Sequence, residues 1–401
     1  MRAKKRVFYM NALFDLELGG FSFKGVKQST AEMSVLFSLA GSAGDIVLLD
    51  TSVPQEYWEY LHSFGLDTAD PIYKGSLQGY EAVSWGWDES SRKRLSETGA
   101  LLRCPDLSIV KKCNSRLFCS EINSQHGSGV PGSVFCHTRK DFFAALDSLS
   151  QSYPVVVKPA FGGSGFGFIN LASFEQARSA SARVDSLIAH GGVVVEPWCD
   201  RTCDLSTSVT ISPEGIAGSY RHQRFLANRH GAFFAILLSP ADPVLDKYIP
   251  LMEKHVKPAV DELISAGYFG PAGFDSFVYN DRGGTEKLAP VIEINARFSM
   301  SDIAHAVRNR CAPGSYCLLR MISRNRCFLP ENYKEFFDVI GEYSFSLSKQ
   351  SGCILLTPLR TGYGNNLPVE PSRNAFFISA ESMEKLFEID SCIQNLFAER
   401  K

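Results

Sequence analysis

YPVVVKPAFGGSGFGFIN, residues 153–170, is the most informative stretch of this chain. Its first part, PVVVK, is typical of a buried strand that ends on Lys158. Glycines then occupy four of the six positions 162–167, and the following GFGFIN alternates like a second strand. Because glycine permits positive φ angles and a close backbone approach, successive N–H groups of such a loop can surround phosphate oxygens. The stretch predicts a β-hairpin whose tip covers a polyphosphate, with Lys158 supplying a point charge.

The order of the lysine and the glycines excludes two familiar phosphate-binding motifs. In a P-loop the lysine follows the glycines, whereas here it precedes them. The glycines do not open a helix either, as those of a dinucleotide-binding turn do. The alternative is a glycine-rich hairpin tip that binds nothing, and the local sequence leaves both interpretations open.

A second signal lies in two apolar segments near residue 280. Asp275 stands in AGFDSFVY, and Glu293 and Asn295 stand in VIEINARFSM, with the turn-rich NDRGGTEKL between the segments. This pattern predicts a β-hairpin, in which Glu293 and Asn295, two residues apart, point to the same side. If Asp275 shares that face, the oxygen ligands suit Mg²⁺. The alternative is a set of salt bridges on a solvated face, but the apolar flanks imply burial, where neighbouring carboxylates are costly without a cation.

The rest of the chain alternates strands and helices. Apolar spacing predicts helices over 107–123, 174–190 and 248–266, and the alternation in the first hundred residues predicts a small layer with parallel strands. The WGWD segment, residues 85–88, is either a packing plug between domains or a docking platform. The basic stretch YRHQRFLANRHG, residues 220–231, suits either an anionic ligand or a solvated strand face.

Taken in order, these motifs resemble the ATP-grasp superfamily, from residue 107 to about 310. The resemblance implies an α/β plus α+β protein that holds ATP between two α+β subdomains. We expect an N-terminal α/β domain over 1–105, a first ATP-grasp subdomain over 106–192, a second over 193–330, and a small C-terminal α+β appendage over 331–401.

The resemblance also implies a phosphate-binding set. Arg116, in NSRLF, stands where the family usually has a lysine that contacts the phosphates. Lys111 or Lys112 is the alternative residue for that role. Lys158 resembles the second phosphate lysine. The flexible loop that covers the phosphates would comprise Gly163, Ser164, Gly165 and Gly167.

VVVEPWCD, residues 193–200, resembles the segment that holds the adenine. Glu196 would accept from the adenine amino group, and the backbone of Trp198 or Cys199 would donate to the ring, since Pro197 has no N–H. Asp204 resembles the acid that binds the ribose.

The metal ligands and the substrate arginine follow from the same resemblance. Asp275, Glu293 and Asn295 resemble the magnesium ligands, and Arg297 resembles the arginine that follows them in carboxylate-activating members.

The implied activity is an ATP-dependent ligase. A carboxylate takes the γ-phosphate, giving an acylphosphate and ADP, and an amine or thiol then displaces phosphate. Lys158 and Arg297 are the expected catalytic residues, and ATP with Mg²⁺, or Mn²⁺ in its place, is the expected cofactor. A phosphotransferase acting on a hydroxyl group and an ATP-binding regulator without turnover are the alternatives.

Composition limits the partners. The chain has 401 residues, with 41 Lys+Arg against 43 Asp+Glu, which argues against binding nucleic acid by phosphate neutralisation. No apolar run reaches the length of a membrane-spanning helix, and Asp15 and Glu17 interrupt the apolar part of the basic N-terminus, unlike a signal peptide. We therefore expect a cytoplasmic protein that acts on small-molecule carboxylates and amines without a membrane or nucleic-acid partner. A homo-oligomer is left open.

Overall fold

The computed structural model describes residues 4–21, 27–150, 152, 154–163, 165, 167–227, 233–363 and 370–398. The N-terminal part of the chain, up to about residue 105 and called the N-terminal domain below, begins with strands and helices that alternate as the sequence predicts. Its elements are β1 (Arg6–Tyr9), α1 (Phe14–Leu18), α2 (Lys27–Ser34), a 3₁₀ helix (Val35–Ala40), β2 (Ile46–Leu48), β3 (Thr51–Ser52), α3 (Gln55–Ser63), β4 (Asp70–Ile72), β5 (Glu81–Ser84) and α4 (Glu89–Ser96). The sheet has the order β4-β2-β1-β5 with parallel pairing, which confirms the predicted parallel layer.

The next segment forms an antiparallel sheet with flanking helices. Its elements are α5 (Leu107–Cys113), α6 (Arg116–His126), β6 (Val134–Cys136), α7 (Arg139–Ser148), β7 (Val155–Pro159), β8 (Ile169–Leu171), α8 (Phe174–Ser179), α9 (Ser181–Ala189) and β9 (Val193–Pro197). The strands have the order β6-β9-β7-β8, and β7 pairs with β8 as the predicted hairpin.

Two of the predicted helices are each divided in two. The helix predicted over 107–123 stops at Asn114, whose side chain donates to the Val110 carbonyl and also bonds to the backbone of Ala296. Ser115 then caps the new helix α6 through its hydroxyl oxygen. The helix predicted over 174–190 is interrupted at Ala180. The first prediction was wrong because apolar spacing does not reveal a tertiary contact, here that of Asn114 with Ala296, that ends a helix. The second was wrong as well, and the structure shows no such contact at Ala180.

A long antiparallel sheet carries the second set of motifs. Its elements, with their helices, are β10 (Asp200–Ile211), β11 (Arg221–Ala227), β12 (Phe233–Leu238), α10 (Pro243–Ser265), β13 (Gly270–Asn280), β14 (Glu286–Asn295), α11 (Met300–Cys311) and β15 (Tyr316–Ser323). The predicted hairpin of β13 and β14 is present. Helix α10 starts five residues before its predicted first residue, because Asp242 caps it with Pro243 in the first turn.

The C-terminal segment extends this same sheet. After a 3₁₀ turn (Arg324–Arg326) come α12 (Tyr333–Ile340), a further 3₁₀ turn (Gly341–Tyr343), β16 (Gly352–Leu355), β17 (Gly362–Tyr363), β18 (Arg373–Ala380) and α13 (Met383–Leu396). The order is β14-β13-β10-β11-β12-β15-β18-β16, while β17 pairs with β3 of the N-terminal domain. Hydrogen bonding therefore crosses the predicted boundary at 330/331. It also crosses the one at 192/193, since β9 pairs with β7.

The largest hydrophobic cluster joins the N-terminal domain to the far half of the long sheet. Leu36 and Trp58 pack in the same cluster as Ile236, Leu318 and Phe376. The N-terminal domain is thus held against the long sheet. Among the described residues, no helix combines the length and apolarity needed to cross a membrane.

Candidate active site

Lys158 lies at the end of β7 and is almost fully buried. Its ammonium group forms an ion pair with the Glu196 carboxylate on the neighbouring strand β9, and the two side chains are 5% and 6% exposed. The register places Glu196 opposite Val156. Lys158 is two residues after Val156 on β7, so its side chain lies on the same face of the sheet as Glu196. The sequence predicted both side chains but not their contact.

The glycine loop follows directly. Gly165 and Gly167 have φ angles of +75° and +78°, a conformation that favours glycine. A Cβ at Gly163 would lie 2.9 Å from the Asp15 carboxylate, so the absence of a side chain lets the N-terminal domain approach the loop. Ser164 lies outside the described residues.

Arg116, the first residue of α6, has its guanidinium bound to protein groups. Its guanidinium donates to the carbonyls of Pro159 at 2.6 Å and Gly162 at 3.0 Å, and to Glu293 Oε1 at 2.5 Å. Phe168 lies 5.5 Å from this guanidinium and 5.6 Å from the Lys158 ammonium. The arginine therefore connects the glycine loop to the carboxylate hairpin, a positioning role that the sequence did not indicate.

The two alternatives to Arg116 as a phosphate-binding residue are exposed, whereas Arg116 is buried. Lys111 and Lys112 are exposed on α5, with their ammonium groups over the rings of Phe161 and Phe118.

The three predicted metal ligands lie on one face of the β13–β14 hairpin. Asp275 is directly opposite Glu293, and Gly273 is opposite Asn295. The Asn295 amide donates to Asp275 Oδ2 at 3.2 Å. Burial, and after it the charge of Glu293, raises the pKa of the Asp275 carboxyl to about 7. Two carboxylates side by side, next to an amide whose oxygen can turn toward them, form a donor set suited to Mg²⁺.

Arg297 is bound to a residue that the sequence did not single out as functional. Its guanidinium holds Asp15 of α1 through two hydrogen bonds of 2.8 Å, and it also donates to Asn295 Oδ1 at 3.0 Å. This bidentate pair joins the N-terminal domain to the end of β14. Asp15 appears in the sequence only as an acid in a short apolar segment, so no local signal could have found it.

The predicted adenine segment continues from β9. The Trp198 N–H donates to the Pro154 carbonyl at 2.9 Å, so of the two predicted donors only Cys199 is left for a ring. Further on, Arg201 Nη1 lies 3.4 Å from Asp204 Oδ1, and burial raises the pKa of that carboxyl. A cavity of about 580 Å³ is bounded by this segment, including Trp198, Cys199 and Asp204.

A second cavity, of about 360 Å³, connects the three parts of the chain. It lies among the hairpin of β7 and β8, the face of β10, β13 and β14, and the N-terminal domain. Its walls contain the predicted site residues Lys158, Gly163, Gly165, Asp204, Asp275, Glu293, Asn295 and Arg297. The tertiary structure thus brings together residues that are up to 139 positions apart, from Lys158 to Arg297.

The basic strand and the WGWD segment contribute differently. Alternation on β11 directs Arg221 to Asp302 at 2.5 Å, and His222 to Glu253 at 3.2 Å on the other face.

In the WGWD segment, Trp85 packs against Phe298 and lines the cavity. The segment therefore packs between domains, as one interpretation predicted, and also borders the site. Residues 228–232 lie outside the described residues.

Comparison with solved structures decides the fold. No protein-family model matches the chain, and no curated protein matches it. Among solved structures, N5-carboxyaminoimidazole ribonucleotide synthetase from Thermus thermophilus is 14% identical with a TM-score of 0.57, and the match covers 98% of this chain and 99% of that one. The chain has the ATP-grasp fold.

Two further structures with this fold contain ligands. The biotin carboxylase domain of Hydrogenobacter thermophilus 2-oxoglutarate carboxylase, in complex with MgADP, ADP and bicarbonate, is 12% identical with a TM-score of 0.53, over 95% of this chain and 87% of that one. The Aspergillus clavatus N5-carboxyaminoimidazole synthase, in complex with ADP and 5-aminoimidazole ribonucleotide, is 11% identical with a TM-score of 0.51, over 98% of both chains. At these sequence identities, the structural similarity shows the shared fold alone.

Proposed function

We propose that this protein is an ATP-dependent ligase that joins a carboxylate to an amine, or to a thiol, through an acylphosphate. The observation that carries the proposal is the convergence of Asp275, Glu293 and Asn295 on one sheet face, across a cavity from Lys158 and its glycine loop. The phosphates of ATP need a positive charge and N–H groups on one side, and their cation needs oxygen ligands on the other.

The donor set supports Mg²⁺, with Mn²⁺ as a substitute. Asp275 and Glu293 supply carboxylate oxygens side by side, and the Asn295 amide can turn its oxygen to the same point. When bound, the cation would neutralise phosphate charge. Burial, and after it the charge of Glu293, raises the pKa of the Asp275 carboxyl, and a bound cation would oppose both effects.

The nucleotide would extend from the glycine loop to the segment after β9. Lys158 would contact the phosphates, and N–H groups of the loop would surround their oxygens. Glu196 and the Cys199 N–H would bind the adenine, and Asp204 would bind the ribose. Arg116 would hold the loop and Glu293 in register through its three hydrogen bonds.

The chemistry then requires positioning rather than a protein nucleophile. A substrate carboxylate attacks the γ-phosphate, ADP leaves, and an amine attacks the acylphosphate carbon to release phosphate. Arg297 can bind a carboxylate or an acylphosphate with its planar guanidinium, as it binds Asp15 here. Asp15 would keep this side chain oriented until substrate arrives.

The decisive experiment is a screen of acid–amine pairs for release of ADP and phosphate. Glu293→Gln should abolish the release, and Glu286→Gln on the same strand is the control, since Glu286 is exposed at the far end of β14. Phosphate release only when an amine is added supports the ligase. A phosphorylated alcohol would instead indicate the phosphotransferase, and AMP with pyrophosphate would overturn both.

The remaining expectations belong to the same proposal. We infer a division of the chain near residue 105. The divisions expected near 192 and 330 would separate functional segments within continuous sheets, since β9 pairs with β7 and β18 pairs with β15. We also infer a cytoplasmic site of action, where MgATP is abundant, and light scattering would measure self-association. Magnesium and manganese titrations of nucleotide binding would test the metal.

A further inference from the structure

The cavity has an apolar wall that the nucleotide chemistry does not use. Met10 and Trp85 are 8% and 6% exposed, and Ile236 is fully buried, yet all three border the cavity. Met33, Phe233 and Met300 border it as well and pack in the same hydrophobic cluster. This wall lies in the N-terminal domain, in β12 and at the start of α11, apart from Lys158 and the glycine loop.

The described cations that line the cavity are all paired with carboxylates in this structure. Among the described residues that line it there are three cations and four carboxylates. Each of these cations has a carboxylate partner. The proposed function already uses Lys158 for the phosphates of ATP and Arg297 for the reacting group, so only Arg201, paired with Asp204, remains among them for an additional anion. The pairs are Lys158 with Glu196, Arg201 with Asp204, and Arg297 with Asp15.

The neighbouring basic strand supplies no spare cation in its described part. Arg221 is bound to Asp302, and Arg224 lies 3.3 Å from Asp242. A second phosphate group, beyond those of ATP, would therefore enter a site whose described cations are engaged. An anion without a cation or hydrogen-bond partners is costly in a partly buried cleft.

We propose, on the basis of the proposed function, that the acid or the amine carries an aliphatic or aromatic group and no phosphate. The reacting carboxylate or amine lies near Arg297, and the apolar group packs against Met10, Met33, Trp85 and Met300. Methionine side chains adapt to irregular shapes and contact aromatic rings favourably, which suits such a pocket. The Aspergillus neighbour is described with a ribonucleotide, a phosphorylated substrate, so this chain would differ from it in substrate class.

Binding measurements test this without requiring turnover. The full chain, saturated with Mg²⁺ and a non-hydrolysable ATP analogue, is titrated calorimetrically with matched pairs. The pairs are L-tyrosine, tyramine and hydroxyphenylpropanoate, each against its own O-phosphate. We expect the unphosphorylated member of at least one pair to bind about tenfold more tightly or better. Tighter or equal binding of the phosphorylated members, or no binding of any unphosphorylated member, overturns the proposal.

A charge placed in the apolar wall provides the second test. Met33→Lys should weaken binding of the unphosphorylated member by about tenfold and strengthen binding of its phosphate ester. The matched control is Ile216→Lys, because Ile216 is 67% exposed beside a turn that does not line the cavity. Binding of the ATP analogue is measured separately for each variant, so that failure of the nucleotide assignment is distinguished from failure of the substrate class. Equal effects of the two lysines on the ligand pairs would refute the pocket.

Discussion

Replacing Lys158 by methionine should damage stability and activity for two different reasons. Lys158 and Glu196 are 5% and 6% exposed and form an ion pair. Removal of the ammonium leaves the Glu196 carboxylate buried without a partner, which typically costs about 3–5 kcal/mol of unfolding free energy. Adding Glu196→Gln removes that isolated charge, so the double variant should regain most of the lost stability.

Activity should not return with stability. The double variant still lacks the charge that, in the proposed function, faces the triphosphate, and loss of one such contact typically lowers turnover by about a hundred- to thousandfold. Urea unfolding reports the free energy, and ADP release per folded molecule reports turnover. Glu196→Gln alone is the control for activity per folded molecule, because it keeps the Lys158 ammonium and its amide oxygen can still accept from the adenine amino group. Recovery of turnover in the double variant would show that Lys158 only neutralises Glu196, and wild-type stability of Lys158→Met would refute the buried pair.

Three further predictions address the metal ligands, Arg297 and the buried His305. Asp275→Asn should abolish the Mg²⁺ dependence of nucleotide binding measured by calorimetry, and an unchanged dependence would contradict the ligand assignment. Arg297→Lys, which loses the bidentate geometry, should raise the KM for the acid while nucleotide affinity is retained; an unaltered KM would count against its substrate role. Burial, and then the nearby Arg221 and Arg308, lowers the pKa of His305 from 6.5 to about 3. Between pH 6.5 and about pH 3, the unfolded chain binds a proton at His305 and the folded chain does not. The free energy of unfolding therefore falls as the pH is lowered, by at most about 1.4 kcal/mol per pH unit. His305→Gln should flatten the urea-unfolding curve of stability against pH, and equal slopes for both proteins would refute the buried neutral histidine.

Local sequence was sufficient where one element determines its own structure. PVVVK followed by glycines predicts the β7–β8 hairpin, because apolar β-branched residues favour a buried strand and glycines permit the turn. The spacing of Glu293 and Asn295 fixes their shared face once β14 is a strand. By contrast, the break between α5 and α6 depends on Asn114, whose partner Ala296 is 182 residues away.

The sequence by itself determined which residues could do chemistry: a lysine before glycines, an acid in one strand, and an acid and an amide in the next. The tertiary structure alone decided their partners. Asp15 meets Arg297 across 282 residues, and Arg116 meets Glu293 across 177. The physical reason is that strand periodicity is local and can be recognised in the sequence. Ion pairs between domains depend instead on packing of the whole core, which brings the N-terminal domain against the face of the long sheet.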